Sequence, residues 1–177
     1  DACRTVVVSN ELNNGAYIRP IAFRGYNDLG LHASLDDDIE VVVAAWEWGS
    51  YFDPEIREKG ISLKTSKWRK PAPDTAPTAA KTASLYNLSC MVKAEVKKDG
   101  FTDALMLDHE GYVAESTGAN LFAVKDGMLH TPIADRFLNG ITRQTVMDLA
   151  TERGIDIEER RIKPEELESF DEIFLTG

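Results

Sequence analysis

Apolar residues recur along this chain in two periods, and each change of period marks an element. Leu85, Leu88, Val92 and Val96 fall three or four residues apart, which predicts an amphipathic helix with Ser84 at its N-cap and Gly100 as its terminator. Gly140-Ile141-Thr142 opens a second helix that runs through Val146, Leu149 and Ala150 and stops at Gly154. Elsewhere the runs suit strands. They fall at 16–23, at 39–46 (a β-branched run fit for a buried strand), at 61–68, 104–108, 112–115 and 121–125. Asp126-Gly127 predicts a tight hairpin into a strand at 128–131. Cys3, Val6, Val7 and Val8 read as the end of a helix before the turn signal Asn13-Asn14-Gly15. A short helix from Asp53-Pro54 to Gly60, a strand around Ile155 and Ile157, a short helix at 164–170 and a last strand complete the pattern.

Strands, a helix, a strand cluster, a helix and a strand make an α+β order with antiparallel hairpins, not the βαβαβ order of a Rossmann fold. Pro20 favours an edge or a strand end. Residues 25–38, rich in Gly, Asn and Asp, form a loop longer than most in a compact domain, and loops of that length tend to be functional or mobile. Pro71, Pro73 and Pro77 stop both helix and central strand, and so place a change of direction just before Lys81.

Charge narrows the partners. The 177 residues carry 20 Lys+Arg against 30 Asp+Glu, a formal net charge of −10, which disfavours nucleic acid and anionic membranes. No apolar run approaches the roughly 20 residues that span a bilayer. Cys3 and Cys90 have neither metal-ligand spacing nor the numbers for a disulfide framework. A soluble, cytoplasmic protein is expected, with no metal. Neither GxGxxG nor GxxxxGK[ST] occurs, which disfavours nucleotide binding through those loops. The chain opens on Asp1 without an initiator Met and stops on the apolar run Phe174-Leu175-Thr176-Gly177, so it reads as part of a longer protein.

Four segments carry candidate chemistry. Lys81 sits among Thr78, Ala79, Ala80, Thr82 and Ala83, a small-residue setting expected to desolvate its ammonium and suit it to imine formation. Composition alone leaves open an ordinary lysine reaching solvent. Glu115, before the loop Ser116-Thr117-Gly118-Ala119, is placed to pair with a cationic ring nitrogen or to sit solvated in a turn. Asn139-Gly140-Ile141-Thr142 puts unpaired backbone N–H groups at a helix start, where they either bind a phosphate or are simply capped. Arg19 offers a bidentate fork to a carboxylate, and Trp48 and Tyr51 either wall a pocket or pack a core. His32, His109 and His130 read as surface or turn residues.

The run from Glu115 through Asn120, Leu121 and Phe122, then Leu129 and Thr131, then Leu138, Gly140, Ile141, Thr142 and Arg143, resembles the signature of the class IV, fold-type IV aminotransferases. Those enzymes use pyridoxal 5′-phosphate (PLP). The run Pro77-Thr78-Ala79-Ala80-Lys81 with Tyr86, together with Tyr17-Ile18-Arg19-Pro20 and Trp48-Gly49-Ser50-Tyr51, is similar to the branched-chain amino acid aminotransferases of that family. The likeness runs along essentially the whole chain. It implies a two-domain α+β protein, with residues 1–24 ending a small domain, 25–38 an interdomain loop and 39–177 most of a large PLP-binding domain.

The resemblance also assigns roles. Lys81 would hold PLP covalently and move a proton at the substrate Cα. Glu115 would keep the pyridine nitrogen protonated, and Tyr86 would contact the ring near its phenolic oxygen and wall the substrate side. Leu138, Gly140, Ile141 and Thr142 would hold the phosphate. Tyr17, Arg19, Trp48 and Tyr51 would line the substrate pocket, Arg19 taking the side-chain carboxylate of glutamate. Leu29 and Leu31 would reach a neighbouring subunit's pocket, so a homodimer or higher homo-oligomer is expected. The implied reaction exchanges an amino group between leucine, isoleucine or valine and 2-oxoglutarate. D-amino-acid transaminase, aminodeoxychorismate lyase and a non-catalytic domain on the same fold are the alternatives. Tyr17-Ile18-Arg19-Pro20 and Trp48-Gly49-Ser50-Tyr51 speak against the first two.

Overall fold

A computed structural model describes residues 1–26, 38–49 and 54–177. Leu29, Leu31, His32 and Tyr51, and most of the loop at 25–38, lie outside the described residues. The chain divides into two compact units, Asp1–Glu58 and Lys59–Gly177.

In the first unit, helix α1 (Ala2–Ser9) lies against an antiparallel ribbon of β1 (Ala16–Arg24) and β2 (Ile39–Glu47). The register is unbroken from Ala16 opposite Glu47 to Arg24 opposite Ile39, and Gly25 N–H closes the ribbon by donating to the Asp38 carbonyl at 2.9 Å. This pairing moves the division between units. The resemblance implies a large domain beginning at 39, whereas β2 is bound to β1 along its whole length and the two compact units divide after Glu58. The β-branched run of β2 is also not a buried strand: Val41 and Val42 are exposed, as are Ile21 and Phe23 on β1. One ribbon and one short helix cannot enclose a core.

Helix α2 (Pro54–Lys59) leads into the second unit, whose seven-stranded sheet is mixed. Its strands are β3 (Leu63–Arg69), β4 (Asp103–Leu107), β5 (Val113–Ser116), β6 (Asn120–Lys125), β7 (Met128–Pro132), β8 (Ile157–Arg160) and β9 (Glu172–Thr176). They lie in the order β3-β4-β5-β6-β7-β8, with β9 paired to β6. The predicted antiparallel hairpins are present. Two ladders, however, are parallel, because helix α3 (Ala83–Lys98) carries the chain from β3 back to β4 and helix α4 (Ile141–Glu152) from β7 back to β8. Both ends of the strand order carry charge, Lys64, Lys67 and Arg69 on β3 and Glu158, Glu159 and Arg160 on β8, which suits strands with one side unpaired among the described residues.

The core has two layers. Val92 and Val96 of α3, four residues apart on one helix face, pack on Ala104 and Met106 of β4 with Leu88 and Phe101 at the margin. On the other face of β4, Leu105 and Leu107 meet Val113, Leu121 and Ile162. Fully burying each Val or Leu contributes about 1.5–3 kcal/mol. Helix α3 starts at N-cap Thr82, not Ser84, and its last turn carries Lys97 and Lys98, which favour the helix dipole. Gly100 (φ +86°) turns the chain out of the helix as its spacing predicted. Asp126 (φ +50°) and Gly127 (φ +80°) form the predicted β6–β7 hairpin, with positive φ at both central residues.

Candidate active site

Glu115 ends β5, and a bulge sets its direction. In the ladder with β4, Met106 faces Glu115 but Leu107 faces Val113, so Ala114 is an extra residue on the β5 side. Strict alternation would send Val113 and Glu115 the same way. The bulge instead leaves Val113 in the core with Leu107 and turns Glu115 to the Met106 side. The hairpin that follows is tied down locally. Ser116 N–H donates to the Ala119 carbonyl at 2.8 Å, and Ser116 Oγ accepts Ala119 N–H at 3.1 Å. Thr117 Oγ1 donates to Asp103 at 2.6 Å.

The Glu115 side chain is only 9% exposed, and burial pushes its carboxyl up from the ordinary value against the opposing pull of Lys70 and, more weakly, Lys81. Lys70 Nζ sits 2.5 Å from Oε1. Oε2 accepts from Asn120 Nδ2 at 3.1 Å. Asn120 then spans to a second feature: Nδ2 also donates to the Leu138 carbonyl at 2.9 Å, and Oδ1 accepts Gly140 N–H at 3.2 Å. One amide thus joins the carboxylate to the turn before α4. Gly140 is the N-cap, and a Cβ there would lie 2.3 Å from Asn120 Oδ1, so any larger residue must displace the Asn120 amide. Behind the turn the buried Arg143 donates to Asn139 Oδ1 at 2.9 Å, the Pro132 carbonyl at 3.0 Å and Glu159 at 2.6 Å. Ile141 and Thr142, both exposed, begin the helix, whose first N–H groups point outward at its positive end.

Lys81 precedes the N-cap of α3, held by turns in which Ala80 N–H donates to Pro77 and Thr82 N–H to Ala80, each at 2.9 Å. Its Nζ lies 5.6 Å from the centre of the Tyr86 ring, and its charge reaches Glu115. Of the two readings that composition left open, desolvated or reaching solvent, Lys81 takes the second and is exposed, because side chains as small as those of Ala79 and Ala80 cover little of a lysine. Thr176 Oγ1 is buried without a hydrogen-bond partner among the described residues, and cross-strand pairing with Asn120 puts both on one face of the sheet. A lysine, a buried carboxylate, an unanswered hydroxyl and a helix start can receive a planar group with a basic ring atom at one end and an anion at the other.

The first unit gathers the remaining candidates. Tyr17 stacks on Trp46 at 4.9 Å, its cross-strand partner, and Trp48 closes the cluster at 5.8 Å from Tyr17. Arg19 donates to Tyr17 Oη at 3.1 Å and lies 5.2 and 5.8 Å from the Tyr17 and Trp46 ring centres. Residues 17 and 19 share a ribbon face, so the planar fork of Arg19 is oriented by aromatic rings, as bidentate carboxylate recognition requires.

Three groups escaped the sequence. Lys70 has no local signal, Trp46 stands in an apolar run, and Asn120 has no chemistry until Glu115 and Leu138 are beside it. One expectation is corrected: His130 is buried on β7, flanked by Glu158 at 3.2 Å and Phe170 at 5.4 Å, since it lies between paired strands and not in a turn. His109 is exposed in its turn.

One unit, Lys59–Gly177, thus holds the buried carboxylate, the helix start and Lys81. The amino-transferase class IV profile matches residues 1–177, and the chain belongs to that family. It is 44% identical over 172 residues to the probable branched-chain-amino-acid aminotransferase of Rickettsia felis, covering 97% of this chain and 57% of that one. The solved branched-chain amino acid aminotransferase of Escherichia coli superposes with a TM-score of 0.94 at 41% identity, over 99% of this chain and 58% of that one. The T.th. branched-chain amino acid aminotransferase with pyridoxamine 5′-phosphate gives a TM-score of 0.93 at 39% identity, over 99% and 57%. The fold is that of the fold-type IV aminotransferases. The chain spans about 57% of the length of the relatives it matches.

Proposed function

We propose that the protein transfers amino groups between branched-chain L-amino acids (leucine, isoleucine, valine) and 2-oxoglutarate, with PLP as cofactor. One observation carries this most: a single amide, Asn120, ties the buried carboxylate of Glu115 to the turn that opens α4, in the unit that also holds Lys81. Those groups match the two ends and the reactive carbon of PLP. The relative with pyridoxamine 5′-phosphate supports the same cofactor.

When bound, PLP supplies an electron sink that makes the Cα proton of an amino acid labile. The chain's residues do the rest. Lys81 would hold the cofactor through Nζ and would carry the proton to and from the substrate Cα. Glu115 would face the ring nitrogen and favour its protonated form. Leu138, Gly140, Ile141 and Thr142 would hold the phosphate at the helix start, Ile141 and Thr142 by offering N–H groups and Leu138 and Gly140, bound to Asn120, by shaping the turn. Tyr86 would wall the ring. Tyr17, Trp48 and Tyr51 receive the aliphatic side chains, and Arg19 receives the second carboxylate of glutamate. An apolar wall separates leucine from valine poorly, since one methylene is worth about 1–3 kcal/mol. Leu29 and Leu31 complete a neighbouring subunit's pocket in a cytoplasmic homodimer. The exposed Ile21, Phe23, Val41 and Val42 support a covered ribbon, and among the described residues no helix is long and apolar enough to cross a membrane.

Borohydride reduction of the PLP-loaded protein, followed by peptide mapping, tests the reading. A label on Lys81 with amino transfer from leucine to 2-oxoglutarate is expected; no label on Lys81 in the full-length protein refutes it.

A further inference from the structure

We propose that Lys70 is a positioning residue for the cofactor: its ammonium keeps Glu115 ionised and aimed, so that Glu115 can hold the ring nitrogen in its protonated form. The inference rests on the function proposed above. Lys70 lies outside every segment assigned to PLP. It follows β3 directly, and its backbone N–H donates to the Leu107 carbonyl at 2.8 Å, which pins it beside the end of β4. Glu115 stands opposite Met106 on the neighbouring strand, so the two side chains meet across β4 although they are far apart in the chain.

The pair is nearly dry, with the two side chains 12% and 9% exposed. A carboxylate in such a place takes up a proton unless a cation faces it, and burial already pushes Glu115 in that direction. Each oxygen has its own donor, Lys70 on Oε1 and Asn120 on Oε2, so the plane of the carboxylate is fixed as well as its charge. A neutral Glu115 would no longer favour a cationic ring, whatever its position. Asn120 supplies a neutral donor and cannot replace this part of the arrangement. Only Lys70 brings a positive charge within hydrogen-bond distance of Glu115 among the described residues.

The experiment uses the full-length protein, with PLP as the probe. Cofactor-free wild type, Lys70→Met, Lys70→Gln, Lys70→Arg, Glu115→Gln and the double variant Lys70→Met/Glu115→Gln are titrated with PLP, and the visible absorbance band is read at saturation. Lys70→Met should weaken PLP binding about tenfold or more and displace the band of the saturated protein. Lys70→Gln, which keeps a donor without the charge and is the easier fold, should displace the band in the same way. Lys70→Arg should restore both readouts, and Lys70→Met should add little in the Glu115→Gln background. Wild-type affinity and band position in both neutral variants overturn the role of Lys70. So does an equally large Lys70→Met effect in the Glu115→Gln background. A wild type that takes up no PLP overturns the aminotransferase reading itself, which a PLP-binding wild type with an indifferent Lys70 does not.

Discussion

At the scale of single residues the site depends on close approach. Gly140 has an ordinary helical-entry backbone (φ −61°), so its need for glycine is steric: any Cβ meets Asn120 Oδ1 at 2.3 Å. Gly140→Ala should push the Asn120 amide away from Glu115, Leu138 and Gly140 together. The loss of those bonds should cost the cofactor-free protein roughly 1–3 kcal/mol, measured by urea unfolding, and should weaken PLP binding in a titration. Gly118, where added carbon meets nothing within 4 Å, is the control, and Gly118→Ala should bind PLP as wild type does. Equal effects at both glycines would refute the Asn120 bracket.

At the scale of elements, the segment between β7 and α4 is held by ion pairs. Arg161, after β8, donates to both oxygens of Asp135 at 2.8 and 2.5 Å, and Arg136 donates to the buried Asp108 at 2.9 Å. The Arg161 hydrogen bonds hold the Asp135 carboxyl below its ordinary value of 3.8. A carboxyl lowered by folding stabilises the protein above its unfolded pKa, and that contribution fades as pH falls through the folded value. Asp135→Asn should therefore be less stable than wild type at pH 7, and the difference should close on acidification below about 3.8. Because the pair is half exposed, at most about 1 kcal/mol is at stake, shrinking with salt. Urea titrations across pH read it, and a difference independent of pH would contradict the assignment. The helices and hairpins were the legible elements. The 3.6-residue stripe of α3 and the Asp126-Gly127 turn are local signals, whereas the parallel β3–β4 and β7–β8 ladders depend on where helices return the chain.

At the scale of the whole molecule, the proposed function assigns different tasks to the two units. Lys81, Glu115 and the helix start belong to Lys59–Gly177, and Tyr17, Arg19 and Trp48 to Asp1–Glu58. Arg19→Ala should leave PLP affinity unchanged while raising KM for 2-oxoglutarate about tenfold or more, and it should change KM for leucine far less. Arg19→Lys should recover only part, since an ammonium cannot present the bidentate fork. Steady-state kinetics on the two substrates decide it. A parallel loss on leucine and 2-oxoglutarate would remove Arg19 from carboxylate recognition.

The amino-acid sequence by itself determined the α+β class, most of the elements and the motif segments around Lys81, Glu115 and Gly140, because helical stripes, turn residues and motif spacing are relations between near neighbours in the chain. It was silent on direction and company. Only the tertiary structure decided that a bulge at Ala114 turns Glu115 away from Val113, that Asn120 links Glu115 to Leu138 and Gly140, and that Lys70 meets Glu115. It also decided that β2 belongs with β1 and that Lys81 stands exposed. Each of these depends on strand register or on a contact between distant positions. Shifting a ladder by one residue would exchange every face, and between strands far apart in the chain no tight turn fixes that register.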